Sequence, residues 1–152
     1  MARKRMIDPD FWLDEDVASM SPLARLLYIG TWNICDDNYA TFPNRPDWIK
    51  AQIFPYEKDI DIPALLTELS RTNRLLLFQG KDTKEYWFIK NFFKHQTINR
   101  PSNPKYAKFS GTLPDGSVST HPEVKEVNEL NKGKVFIKNS RENLRDKWSK
   151  RK

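Results

Sequence analysis

Basic side chains gather at three places along the sequence, and the chemistry open to them is contact with phosphate groups. One group is near the N-terminus, one flanks a charged turn, and one surrounds a tryptophan near the C-terminus. These residues are Arg3, Lys4 and Arg5; Lys81 and Lys84; and Arg145, Lys147 and Trp148. In complexes with nucleic acids, lysine and arginine side chains commonly contact the phosphate oxygens of the backbone. We therefore expect a polyanionic partner, double-stranded DNA, with solvated surface charge as the alternative at each place.

The positive charge is unevenly distributed along the chain. The whole sequence has 26 Lys and Arg against 20 Asp and Glu, a net charge of +6. Residues 1–106 contain 15 basic and 14 acidic residues, whereas residues 107–152 contain 11 and 6. Most aromatics are in the first part. This pattern predicts a folded domain over 1–106 and a basic, partly disordered tail over 107–152.

The tail contains one helical candidate, over 140–151, in which Leu144 and Trp148 stand four residues apart among basic residues. Such a helix could lie along phosphates while Trp148 stacks on bases or on a protein groove. The alternative is a solubilising tail without order.

Residues suited to catalysis or metal binding do not form recognisable patterns. The two histidines, His95 and His121, are too far apart to suggest a ligand set, and the single cysteine, Cys35, excludes an internal disulfide and a cysteine-based zinc site. There is no glycine-rich phosphate loop, no Ser/His/Asp arrangement and no two-metal acidic cluster. We expect no enzyme activity, no metal and no cofactor.

Apolar runs are too short for a signal peptide or a membrane span. We expect a cytoplasmic protein without a membrane partner, in a reducing compartment.

The elements that must position the basic groups begin with a clear helix. Ser21 suits the N-cap and Pro22 the first helical position. Apolar residues then recur at three-and-four spacing, at Leu23, Leu26, Leu27, Gly30 and Ile34, and the predicted apolar face is widened by Tyr28, Trp32 and Cys35. A glycine inside a helix lowers its stability, so we expect Gly30 to be packed closely against a neighbour.

The remaining elements follow in a recognisable order. They are a short strand over 39–42, a helix over 45–54, a third helix capped by Asp61 and closed by Asn73, and two strands over 75–78 and 86–89 around a charged loop. Asn73 suits the left-handed conformation that closes a helix. Helix, strand, helix, helix, strand, loop, strand is the order of a winged helix-turn-helix domain, an α+β fold.

In that fold the third helix normally lies in the major groove of DNA. The residues of suitable type on it are Thr67, Ser70, Arg71 and Asn73. The alternative is that they solvate an outer face, and Glu68 on the same face favours it because a carboxylate repels phosphate. Lys81 and Lys84 in the loop need less exact geometry, since they would contact the DNA backbone. Arg3, Lys4 and Arg5 would form a mobile arm able to enter a minor groove.

After the second strand of the hairpin, we expect one more helical turn over 92–96. Residues 99–104 then lead outward from the domain, and all the core aromatics lie before Lys105.

Four segments together resemble the N-terminal winged-helix domain of phage replisome organisers, replication initiation proteins of the DnaD-like type. They are ARKRMIDPDFW (2–12), SPLARLLYIGTWNICDD (21–37), IKAQIFPY (49–56) and WFIKNFFKHQTINRPSNPKY (87–106). The resemblance covers about residues 1–106. Such initiators commonly continue into a second helical domain, to which residues 107–152 show no match.

The resemblance implies a replication initiator that binds double-stranded DNA at an origin, self-associates as a homodimer and helps to recruit host replication proteins in the bacterial cytoplasm. Two alternatives stay open: a phage protein-interaction factor that binds and redirects a host protein, and a transcriptional regulator. The nearly neutral domain and the non-basic third helix favour the interaction factor, whereas the basic groups favour DNA.

Overall fold

Five α-helices and three β-strands make up the part of the chain that the computed structural model describes, residues 3–113 and 116. The helices are α1 (Glu15–Ser19), α2 (Pro22–Ile34), α3 (Pro46–Ile53), α4 (Ile62–Arg71) and α5 (Phe92–His95), and the strands are β1 (Thr41–Pro43), β2 (Leu75–Gln79) and β3 (Glu85–Ile89). A 3-10 helix over Pro9–Leu13 precedes α1. The predicted α+β class is confirmed.

Side-chain caps explain where the two main helices begin. Ser21 Oγ accepts a hydrogen bond from the Ala24 N–H at 3.2 Å, and Asp61 Oδ1 accepts one from the Ala64 N–H at 3.0 Å. In both helices a proline stands in the first turn, where its missing N–H does no harm. Each cap stabilises its helix by about 1 kcal/mol. The predicted starts of α2 and α4 are therefore confirmed.

The predicted apolar face of α2 is confirmed in part, because Leu27, Tyr28, Trp32 and Cys35 are buried. Leu23 and Leu26, expected to face inward, are 46% and 51% exposed. The side that faces inward carries Ala24, Leu27, Tyr28, Thr31 and Trp32. The two aromatic rings decide the rotation of the helix, because they bury more area than the leucines. Phe11 packs edge-on against Trp32 at 5.5 Å between ring centroids and stacks near Tyr28 at 6.3 Å.

Close packing at Gly30 is confirmed. A Cβ atom added at Gly30 would lie 2.6 Å from Cγ2 of Ile53, well inside van der Waals contact. The glycine thus allows α2 and α3 to approach each other.

The sheet is antiparallel, with strand order β1-β3-β2. Leu75 pairs with Ile89 and Phe78 with Tyr86 in the hairpin, while Thr41 of β1 pairs with Phe88. Because side chains alternate along a strand, Leu75 and Ile89 lie on one face, and Phe78, Tyr86 and Phe88 on the other.

A segment that runs past the predicted domain boundary at residue 106 covers this second face. We call residues 102–109 the covering segment. Phe109 stacks on Phe88, with ring centroids 4.6 Å apart and planes 4° from parallel, and meets Phe78 edge-on at 5.3 Å. The Thr41 hydroxyl donates to the Ala107 carbonyl at 2.9 Å.

Two expectations about this region are wrong. The chain after Asn99 does not simply lead outward, and the core aromatics do not all precede Lys105, because Phe109 is buried in the core. An apolar sheet face left open to water would be costly, and the covering segment removes that cost. The boundary at 106 stays a prediction, and the predicted helix over 140–151 lies outside the described residues.

Candidate nucleic-acid interface

The loop between β2 and β3, residues 80–84, is a tight turn with internal hydrogen bonds, and we call it the hairpin loop. The Gly80 N–H donates to the Lys84 carbonyl at 2.8 Å, and the Thr83 N–H donates to the Gly80 carbonyl at 3.0 Å. Thr83 adopts the left-handed conformation, with φ of 65°. The Tyr86 hydroxyl donates to Asp82 Oδ2 at 2.7 Å. The loop is therefore held in one shape.

The charges of the hairpin loop are arranged asymmetrically. The hydrogen bond from Tyr86 lowers the pKa of Asp82 and directs this carboxylate back toward the strand. Lys81 and Lys84 are exposed, and neither forms an ion pair with any residue in the described part of the chain. The loop can thus offer two ammonium groups to a partner, in keeping with the role predicted for them.

The outer side of α4 offers two of the predicted side chains. Thr67 and Arg71 are exposed, whereas Ser70 is half-buried. The Thr67 hydroxyl donates to the Pro63 carbonyl at 2.9 Å, which leaves its oxygen able to accept a hydrogen bond. The Arg71 guanidinium forms no ion pair within the described part of the chain, and its forked donors suit the edge of a guanine.

Asn73 ends α4 in the predicted left-handed conformation, with φ of 55°. Its N–H donates to the Ser70 carbonyl at 3.0 Å, and the Arg74 N–H donates to the Leu69 carbonyl at 3.3 Å. This is the backbone pattern that commonly terminates helices. The exposed Asn73 side chain is presented next to Arg71.

Glu68 does not extend from the outer face of α4 as expected. Its carboxylate accepts hydrogen bonds from the Ser21 N–H and from the Ser21 hydroxyl, the latter at 2.9 Å. Glu68 therefore caps the N-terminus of α2 from a neighbouring helix, where a negative charge is favourable. Because the Glu68 carboxylate is bound to Ser21, it repels a phosphate near the outer face of α4 less strongly than the sequence suggests.

The two candidate groups lie at opposite ends of β2. Arg71 and Asn73 precede its first residue, and Lys81 follows its last. A five-residue strand spans about 17 Å. That is about half of one turn of B-form DNA, which rises about 34 Å per turn.

The N-terminal run is not a mobile arm. The Arg5 side chain is only 7% exposed; its Nη2 lies 2.5 Å from Asp37 Oδ1, and its Nε donates to the Trp32 carbonyl at 2.9 Å. Arg3 Nε lies 2.8 Å from Asp37 Oδ2. A buried carboxylate needs compensating charge, and these arginines supply it. Lys4 remains exposed.

The acidic N-terminal segment is tied down by one arginine. Arg74 Nη2 contacts Asp14 at 2.7 Å and Asp16 at 3.1 Å. Burial alone would raise the pKa of Asp14, but hydrogen bonds from the Val17 N–H and from Arg74 outweigh it and lower the pKa.

Beside this ion pair is a cavity of about 130 Å³ with an aromatic floor that includes Phe11, Trp32 and Phe92. Trp12 and Leu13, which follow Phe11 in the sequence, are 57% and 82% exposed.

The described residues include neither a cluster of metal-binding side chains nor an exposed thiol. Among residues 3–113 and 116, no group of three His, Cys, Asp or Glu side chains could hold a metal ion. Cys35 is buried, and burial raises the pKa of its thiol to about 12. None of the helices in the same part of the chain is long and apolar enough to cross a membrane.

No protein-family model, curated protein or solved structure matches the chain. The geometry of the residues therefore carries the functional argument.

Some predicted residues lie outside the described part of the chain, and some important residues were not predicted. Arg145, Lys147 and Trp148 belong to the first class. Asp37 and Gln96 belong to the second class: their side chains contact residues that are 32 to 90 positions away in the sequence, and no local pattern indicates such contacts.

Proposed function

We propose that the described part of the chain is a winged helix that binds double-stranded DNA without catalysing a reaction. The observation that carries the proposal is the hairpin loop, whose two lysines form no ion pair within the described residues and which is separated from the end of α4 by β2, a strand about 17 Å long. This spacing would allow α4 to enter the major groove while the loop contacts the neighbouring backbone of the same duplex.

The connectivity supports the same proposal. Helices α3 and α4 lie between β1 and β2 in sequence, and the sheet order β1-β3-β2 pairs the first strand with the last. A winged helix-turn-helix domain has this order of elements, with its last hairpin beside the third helix.

A role in replication initiation rests on the resemblance of residues 1–106 to phage replisome organisers. In that role the protein marks a DNA site and brings host replication proteins to it. Homodimer formation belongs to the same proposal. It is supported by α2, whose exposed edge carries Leu23 and Leu26 and whose only charged residue is Arg25. Such an edge can pack against its own copy without like-charge repulsion.

The test is duplex binding at two salt concentrations, with fragments of the genome that encodes the protein and with random duplex. Lys81→Glu and Lys84→Glu should each weaken binding to all sequences alike and reduce the log–log salt slope by about 1. Lys94→Glu on α5, an exposed lysine with the same change of charge, is the matched control. If no fragment binds better than random duplex, and the loop reversals behave like the control, the proposal fails.

A second candidate function, binding to a host protein, is favoured by Trp12 and Leu13. Large apolar side chains held at the surface are typical of protein interfaces, and Trp12 is fixed there by edge-on contact with Phe11 at 5.0 Å. Trp12→Ala should abolish capture of a host protein from nuclease-treated lysate and leave duplex binding unchanged. Equal capture by the variant would count against this function.

A further inference from the structure

An open groove of about 350 Å³ runs between the N-terminal run and the chain after α5. Arg3, Lys4 and Arg5 line one wall, and residues 97–100 line the other. Lys4 and Arg100 are exposed, and Arg3 is 41% exposed. No acidic side chain lines this groove within the described part of the chain.

Both walls are fixed in place by hydrogen bonds. The Gln96 side chain accepts from the Met6 N–H at 3.1 Å and donates to the Met6 carbonyl at 2.7 Å, as a neighbouring strand would. The Arg3 N–H donates to the Asn33 carbonyl at 3.1 Å, and the Asn33 amide donates back to the Arg3 carbonyl. The groove is therefore formed before any ligand arrives, which reduces the entropy lost on binding.

Asp37 joins the two walls from beneath. Its side chain is 1% exposed and binds Arg3 and Arg5 from one wall. Its Oδ2 also accepts hydrogen bonds from the N–H and hydroxyl of Ser102, just beyond the other wall, at 3.2 and 3.1 Å. Asp37 is thus a positioning residue for the groove.

The charge at the groove is strongly positive. Four basic side chains, Arg3, Lys4, Arg5 and Arg100, stand against the single carboxylate of Asp37, which leaves an excess of three positive charges. Thr97 and Asn99 add exposed polar groups between them. A phosphate-bearing ligand matches both features, since it carries negative charge and accepts hydrogen bonds.

We infer that this groove binds the phosphodiester backbone of double-stranded DNA, as a second contact beside α4 and the hairpin loop; the inference rests on the proposed function. Duplex is favoured over single strand because no aromatic side chain among the described residues lines the groove, and single-strand binding sites generally stack bases on aromatic rings. The contact is independent of base sequence.

The test compares Lys4→Glu and Arg100→Glu with Lys108→Glu, an exposed lysine outside the groove that undergoes a similar change of charge. Each groove variant should lower the affinity for every duplex and reduce the log–log salt slope by about 1. The wild type should bind duplex more tightly than single strand of the same sequence. Backbone NMR should detect inorganic pyrophosphate at Lys4, Thr97 and Arg100, and the groove variants should lose this signal while keeping the wild-type spectrum elsewhere.

The outcomes separate the two proposals. If the loop reversals weaken duplex binding but the groove variants match Lys108→Glu, the groove inference is overturned and the proposed function stands. If only the groove variants weaken binding, the groove binds DNA and the role given to the hairpin loop fails. Equal binding of single strand would overturn the assignment to duplex, and binding of pyrophosphate without any effect on DNA would assign the groove to a small phosphate ligand instead.

Discussion

Asp37 stands in a turn where the sequence offers two aspartates and an asparagine side by side, and only their contacts distinguish them. Asp36 accepts hydrogen bonds from the N–H groups of Asn38 and Tyr39, which shapes the turn, and its Oδ2 accepts one from the distant Lys105 N–H. The Asp37 side chain instead binds two distant side chains, those of Arg5 and Ser102. Burial alone would raise its pKa, but these hydrogen bonds and the charge of Arg5 outweigh burial and lower it.

Asp37→Asn should therefore lower the free energy of unfolding at pH 7 by about 3 kcal/mol, since it leaves a buried arginine without its counter-charge. A carboxyl whose pKa is lower in the folded state stabilises the fold above its unfolded pKa of about 3.9, and this contribution is lost as the pH falls through the folded-state pKa. The difference between wild type and variant, measured by urea unfolding, should shrink below about pH 4. Asp59→Asn, at an exposed position, is the control; a difference constant with pH would contradict the role given to Asp37.

Arg71 is the residue on α4 best suited to distinguish bases. Arg71→Ala should reduce discrimination between a preferred fragment and random duplex by about 1–3 kcal/mol, if the guanidinium binds a guanine edge. Competition binding measures this, with the exposed Arg45→Ala as the matched control. A uniform loss of affinity for all sequences would instead assign Arg71 to the backbone.

At the scale of elements, local patterns predicted where α2 and α4 begin and in which order the helices and strands follow. They predicted only part of the face of α2 that is buried. Ser21 and Asp61 are local signals, and local signals fix where a helix begins. Which face of α2 turns inward depends on Phe11. This residue precedes Tyr28 by 17 positions in the sequence and packs on Tyr28 and Trp32. Three-and-four spacing of leucines could not reveal that.

The contact between α2 and α3 gives a prediction at this scale. Gly30→Ala should destabilise the fold by about 1 kcal/mol or more, because the new methyl group would collide with Ile53. In an Ile53→Ala background the same change should be neutral or stabilising, since alanine favours the helix once the space is free. Thermal unfolding of the four proteins gives the coupling; effects that simply add would rule out this contact.

For the molecule as a whole, the order of elements and the exposed basic residues of the hairpin loop followed from local patterns. The groove and the covering segment did not, because both depend on contacts between parts of the chain that are far apart in sequence. Phe109, for example, lies in a stretch of polar and small residues and gives no sign that it stacks on Phe88.

Truncation tests the extent of the folded unit. A chain ending at residue 105 should unfold at a distinctly lower temperature than one ending at 116, because it loses Phe109, and removing a buried phenylalanine costs about 3–5 kcal/mol. The longer chain carrying Phe109→Ala should lose a similar amount. Equal melting temperatures for the two truncated chains would mean that the covering segment does not stabilise the fold.

The contacts of Asp37 also bear on whether the order of segments along the chain could be changed by circular permutation. Arg3 and Ser102 bind the same oxygen, Asp37 Oδ2, so the first described residue lies near the start of the covering segment, 99 positions later in the sequence. Domains in which the two ends of the chain come close commonly tolerate circular permutation. A permuted chain would keep the covering segment, join residue 116 to residue 3 through a linker and open new termini in the exposed turn at residues 56–59. Asp37, Ser102 and Phe109 would then keep their partners, although the chain would begin in its middle.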